Sequence, residues 1–179
     1  GRAVLVRGVG GIGKGRWLLE LAGGHAGWLS TRARPGDAGA PYASATLLLM
    51  QTLERFAPPL TPSLRAELAR LLPVLGDALP GEASQPVLWH AVEALLAASL
   101  GQGLGTLLVD DLHLADTATL QLLRWLLASP RLEPLRWAFA ARLDEPGAAS
   151  AALQDWLGES TRIEPIRLQA LSANQLSEL

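Results

Sequence analysis

The 179-residue chain has no cysteine, which excludes disulfides and thiolate-held metal. Its three histidines, His25, His90 and His113, show no paired spacing, so no zinc site is read from them. Long apolar runs are missing as well. Ala94 to Leu100 is far too short to span a bilayer. No secretory signal pattern is present, and with the lack of cysteine this points to a cytoplasmic protein. An excess of one charge is also absent. Fifteen basic residues face 17 acidic ones, for a net charge of −2. That balance leaves no electrostatic footprint for nucleic acid over the chain as a whole. Lysine is almost missing: of the 15 basic residues only Lys14 is not arginine. There is no internal repeat and no low-complexity tract. What remains is 49% hydrophobic and 18% charged, ample for a sizeable core. The length fits one domain, since domains run to roughly 100–200 residues.

The most informative stretch opens the chain. Ala3 to Val6 is an apolar run of strand character. It feeds a glycine-rich turn, and a helical pattern over Arg16 to Ala22 follows at once. Gly8 and Gly13-Lys14 have the spacing of a phosphate-binding loop, Gly-x-x-x-x-Gly-Lys. Glycines let backbone N–H groups turn inward and approach an anion with no Cβ in the way. The helix that follows points its positive end at the same spot. Lys14 is a compact point charge that can reach the outer phosphates. The expected cofactor-binding segment is therefore Gly8, Gly10, Gly11, Ile12, Gly13, Lys14, Gly15 and Arg16. A flexible glycine turn is the plain alternative, and the strand-then-helix context argues against it. One position departs from the pattern. A Ser or Thr normally follows the lysine and offers its hydroxyl to Mg²⁺, but Gly15 stands there. Arg16 cannot substitute, because a guanidinium only donates.

The rest of the chain alternates strands and helices. Residues 27–33 read as a second strand, ended by Arg34-Pro35-Gly36-Asp37. Three helices follow: Tyr42 to Phe56, densely apolar and largely buried; Ser63 to Leu72, with Thr61 as N-cap and Pro62 in its first turn; and Pro86 to Leu100. They make an insertion over about 42–101, longer than a plain crossover. Thr106 to Val109 is a strand buried on both faces, ending in Asp110-Asp111. Asp116 caps a helix over Thr117 to Ala128. Leu135 to Ala141 is a fourth strand ending in Arg142. Ala148 to Leu157 is helical, Arg162 to Leu168 is a final strand, and Ser172 with Gln175 forms a capping box for a helix cut off by the chain end. This order predicts an α/β domain with a parallel sheet and helices on both faces.

In an open parallel sheet, ligands bind beyond the carboxyl ends of the strands. The glycine loop, the pair Asp110-Asp111 and Arg142 all fall there. Each alone has a plain explanation, since Asp pairs form turns and a strand-end Arg can be a solvated rim residue. Together they match the apolar-strand-then-acid pattern that holds Mg²⁺ in loop-type NTPases. Asp110 would bind the metal, Asp111 would orient or deprotonate the attacking water, and Arg142 would contact the γ-phosphate with both prongs. His113 is either a hydrogen-bonding neighbour of this cluster or a structural histidine under the next helix. Asp116 reads as a helix cap rather than a catalytic acid.

These stretches resemble a family. Val4 to Gly8 with Gly13-Lys14, then Val109 to Asp116, then Ala140 to Glu145, are similar to the ATPase module of bacterial signal-transduction NTPases. That is the STAND branch of the AAA+ class, found in large LuxR-type and antibiotic-regulatory transcription factors. Pro41-Tyr42, Leu71-Leu72-Pro73 and Ile166 to Ser172 share the likeness. The resemblance implies a three-layer α/β/α P-loop NTPase sandwich of the ASCE/AAA+ type, with a mainly parallel five-stranded sheet. It also implies ATP/ADP and Mg²⁺ as cofactors and a nucleotide-dependent switch that biases a closed or homo-oligomeric form. Effector and DNA-binding domains would lie elsewhere in the polypeptide. Two family elements, an upstream Gly-Arg-Glu segment that helps hold adenine and a C-terminal helical lid, are not in the sequence. Residues 1–179 therefore read as the core of a larger regulator. Two other readings stand beside the ATP-binding, slowly hydrolysing switch. One is a degenerate nucleotide-binding or oligomerisation scaffold, because Gly15 removes the metal hydroxyl. The other, ranked lower, is a P-loop kinase, for which no acceptor site is evident.

Overall fold

The computed structural model describes residues 2–23, 27–81, 84–142 and 148–169. Five strands make one parallel sheet: β1 (Arg2–Arg7), β2 (Trp28–Arg32), β3 (Thr106–Asp110), β4 (Arg136–Ala141) and β5 (Ile163–Arg167). Their order is β2-β3-β4-β1-β5. Leu29 lies beside Leu107, Leu107 beside Trp137, and Ala3 beside both Trp137 and Ile163. Successive side chains of a strand point to opposite faces, so this register sorts the sheet into two sides. Ala3, Leu5, Leu107, Val109, Trp137 and Phe139 join the larger core, while Val6, Leu108, Ala138 and Ala140 join a smaller one on the reverse face. β3 is buried along its whole length and β4 beyond its first residue. Each therefore reads in the sequence as an unbroken apolar run.

Helix α1 (Lys14–Gly23) lies on the smaller core through Leu18 and Ala22. The larger core is closed by α2 (Ala43–Phe56), α4 (Gln85–Leu100), α5 (Thr117–Ala128) and α6 (Ala148–Glu159). Helix α3 (Pro62–Leu68) packs on α4. The expected three-layer sandwich with a parallel five-stranded sheet is thus observed. No helix among the described residues is long and apolar enough to cross a membrane.

Several local expectations are corrected. The third helical segment stops at Leu68 rather than Leu72. The N–H groups of Leu71 and Leu72 both bond back to Leu68 O, and a short 3₁₀ turn follows over Pro73–Leu75. Pro73 explains the early stop, because a proline pushes the residue before it out of helical backbone. Leu72 sits at φ −127° and ψ 77° accordingly. In α2, Leu48 and Leu49 are buried, but Met50 faces outward. The last strand contains Pro165, which is tolerated because β5 is an edge strand. The Ser172–Gln175 capping box, His25 and Leu143 to Glu145 lie outside the described residues.

Asp116 does more than cap one helix. Its Oδ1 accepts from Thr119 N at 2.8 Å and its Oδ2 from Thr119 Oγ1 at 2.7 Å, as a cap of α5 should. The same carboxylate accepts the Tyr42 N–H at 2.8 Å and the Ser44 N–H at 3.4 Å. It therefore serves the first turn of α2 as well, where Tyr42 supplies no side-chain cap of its own. Two orphan helix ends share one buried anion. Asp116→Ala should lower stability by about 2–4 kcal/mol, because it leaves several buried N–H donors unpaired. Asp116→Asn should cost less, since it keeps an acceptor. Urea denaturation measures both, and an unchanged midpoint for Asp116→Ala would refute the shared-cap account.

Candidate functional site

The loop between β1 and α1 folds as its glycines require. Gly11 and Gly13 adopt φ of +77° and +97°, backbone that L side chains rarely accept. The reversal closes with Gly13 O accepting from Trp17 N at 2.9 Å, already inside the helix. Lys14 begins α1 yet turns back on the loop. Its Nζ donates to Gly8 O at 2.8 Å and Val9 O at 2.9 Å, and the residue is only 6% exposed. The single ammonium of the described chain is thus held inside the loop.

Sheet order explains what surrounds it. The chain leaves β1 through α1 on one face of the sheet, and leaves β4 toward β5 through α6 on the other. β1 and β4 are neighbours, so a crevice opens between their carboxyl ends. Arg142, just after β4, lies in it. A Cβ built on Gly10 would stand 3.4 Å from Arg142 Cζ and Nη1. The guanidinium therefore lies beside Gly10 of the loop, at van der Waals distance from where a side chain there would begin. His113 helps to fix this end of β4: its Nδ1 accepts the Arg142 N–H at 3.3 Å. His113 is buried in the short turn after β3. This contact is neither with the acidic pair nor with the following helix, and it ties His113 to the backbone of Arg142.

Asp110 closes the site from β3. Its Oδ1 accepts the Asp111 N–H at 2.8 Å. Its Oδ2 faces the start of α1, where a Cβ on Gly15 would stand 2.8 Å away. Asp111 takes left-handed backbone at φ 50°, a conformation Asp tolerates better than most residues. The loop, Asp110, Asp111 and Arg142 thus share one edge of the sheet.

The sequence model of the family described as "AAA ATPase domain" matches residues 1–138. The chain belongs to the AAA ATPase domain family. No curated protein matches it. Membership makes this an AAA+ P-loop ATPase module with nucleotide binding as its broad function, and it agrees with the parallel α/β sheet described above.

One side chain of this AAA ATPase domain was not anticipated from the sequence. Arg32, the last residue of β2, is registered beside Asp110. Its Nη2 lies 2.9 Å from Asp110 Oδ2 and its Nε 3.1 Å from Asp111 Oδ2. The signal was present: Arg32 ends a parallel strand at the same edge as the acidic pair. Among 14 arginines it carries no contrast in the sequence. His90 has partners that its place in the sequence did not show. Its Nδ1 lies 3.5 Å from Glu93 Oε2, and its ring meets Trp125 edge-on at 5.0 Å.

The fit of a divalent cation can be tested on these contacts. Position 15 offers no hydroxyl. Asp110, the expected metal ligand, is engaged by Arg32 and by the Asp111 N–H, and it occupies the space beside Gly15 that a Ser or Thr would need. The residues present do not fit a hydroxyl-and-carboxylate metal site. A large open cavity of about 1050 Å³ lies elsewhere, against Arg2, Arg136, Arg162 and Glu164 at the amino ends of the strands. It contains none of the site residues, and a parallel sheet carries its ligand loops at the other end.

The closeness of Asp110 to position 15 bears on stability. Replacing a helical Gly by Ala ordinarily stabilises by about 1 kcal/mol. Gly15→Ala should show no such gain, because the new methyl would push Asp110 off Arg32. A full gain in urea denaturation would show that the carboxylate moves away freely.

Proposed function

We propose that this domain is an ATP- and ADP-binding switch of a bacterial signal-transduction regulator, with hydrolysis slow. The observation that carries the reading is the meeting of three features at one crevice. The glycine loop holds Lys14, Arg142 lies beside Gly10, and Asp110 abuts Gly15. In this reading the loop N–H groups cradle the phosphates and Lys14 leaves its carbonyls to meet the outer ones. Arg142 contacts the γ-phosphate through its planar fork. Asp111 orients the attacking water. For such a switch the nucleotide must bind one conformation better than another, since only that difference lets it bias an equilibrium.

The regulatory setting rests on the likeness of Val109 to Asp116 and Ile166 to Ser172 to the STAND modules of LuxR-type and antibiotic-regulatory transcription factors. Effector and DNA-binding domains elsewhere in a cytoplasmic polypeptide would read the switch, with a homo-oligomer as one of its states. A second reading is favoured by a specific contact. Asp110 fills the space beside Gly15, which suits a scaffold that binds nucleotide without turning it over.

Lys14 is the only lysine in the sequence, so an amine-acylating reagent reports on it directly. ATP should protect Lys14 from acylation, read by peptide mass spectrometry. Equal labelling with and without saturating ATP would count against the site. Lys14→Ala should weaken nucleotide binding by about tenfold or more, the loss of a charge-assisted contact. Asp111→Asn should slow single-turnover hydrolysis more than it weakens binding. Absence of turnover in the unaltered protein, with binding retained, would select the scaffold reading.

A further inference from the structure

We propose that Arg32 is the resident cation of this site, so that the loop takes nucleoside phosphate without a divalent metal. The proposal rests on the nucleotide-binding reading above and adds to it how the acidic pair is neutralised. The guanidinium spans two carboxylates, with Nη2 at 2.9 Å from Asp110 and Nε at 3.1 Å from Asp111. A planar fork suits that span, and a lysine could offer only a point charge. The pairing is built into the sheet. Arg32 is registered beside Asp110, and Ala33 N bonds to Asp110 O at 3.0 Å, so the two backbones are fixed where the side chains meet. The Asp110 and Asp111 side chains are only 12% and 15% exposed, whereas that of Arg32 is 66% exposed. The arginine therefore covers the carboxylates from the solvent side, on the path a hydrated ion would take.

Charge and space agree. Two bare carboxylates beside the loop would repel an incoming triphosphate, and a bound metal usually removes that repulsion. Here Arg32 removes it. The place of the missing hydroxyl is also taken, since Asp110 Oδ2 would lie 2.8 Å from any Cβ at position 15. Gly15 and Arg32 are thus two halves of one arrangement. The glycine lets the carboxylate approach α1, and the arginine holds it there.

Fluorescence anisotropy with a ribose-labelled ATP tests this on the full chain, in excess EDTA and in millimolar Mg²⁺. The two affinities should agree within about threefold. Arg32→Ala should lose at least about tenfold in EDTA and regain most of it with Mg²⁺, with Arg32→Lys between the two. Binding by the unaltered protein that drops tenfold or more in EDTA would overturn the inference and leave the nucleotide reading intact. So would an Arg32→Ala variant with unchanged affinity in EDTA. No binding in either buffer, together with unprotected Lys14, would overturn both. The comparison of buffers needs no variant, so a misfolded substitution does not blunt the test.

Discussion

Parallel pairing is the constraint from which the site follows. Five strands running the same way put every carboxyl end at one edge of the sheet, and the register decides which residues end up there. Arg7, Arg32, Asp110 and Ala141 close their strands at that edge. A slip of one residue in any ladder would turn its apolar set onto the wrong face, so the two cores enforce the register that the site needs. Burial of Leu107, Val109, Trp137 and Phe139 is therefore also what brings Arg32 level with Asp110. Position in the core and position in the site are one specification.

Asp116 shows how the helical insertion is tied to this sheet. The chain between β2 and β3 is long, and its first helix needs a fixed origin. A carboxylate from the far side of β3 supplies it, by accepting the N–H groups of Tyr42 and Ser44. A buried anion shared by two helix ends is fully satisfied, which is the condition under which burying a charge is tolerable.

Much of the fold was legible because apolar runs and helical periodicity are local signals. β3 and β4 read as continuous hydrophobic segments since both their faces are covered, and Asp116 read as a cap from its neighbours alone. What stayed hidden depends on partners remote in sequence. The Asp116–Tyr42 bond joins segments that no pattern connects. The end of α3 was misjudged because the leucine spacing runs on to Leu72 while Pro73 acts backward on the chain before it. At the candidate site the loop, Asp110, Asp111 and Arg142 were legible from strand-end placement. Arg32 obeys the same rule and was passed over, since an arginine in an arginine-rich chain carries no contrast. Gly15 was read as a lost hydroxyl. That it also makes room for Asp110 is visible only when β3 and α1 are seen side by side.

Pro165 has a consequence for how the sheet meets other molecules. Ala3 N bonds to Arg162 O, and Leu168 N bonds to Arg7 O. In a parallel ladder alternate residues face the neighbour, so Arg162, Glu164, Ile166 and Leu168 face β1. Ile163, Pro165 and Arg167 then turn their backbone outward. The middle one of these has no hydrogen to donate. A foreign strand trying to extend the sheet past β5 would find a gap at the centre of its ladder, flanked by the charge of Arg167. Edge-to-edge growth is blocked on that side by one ring of three methylenes.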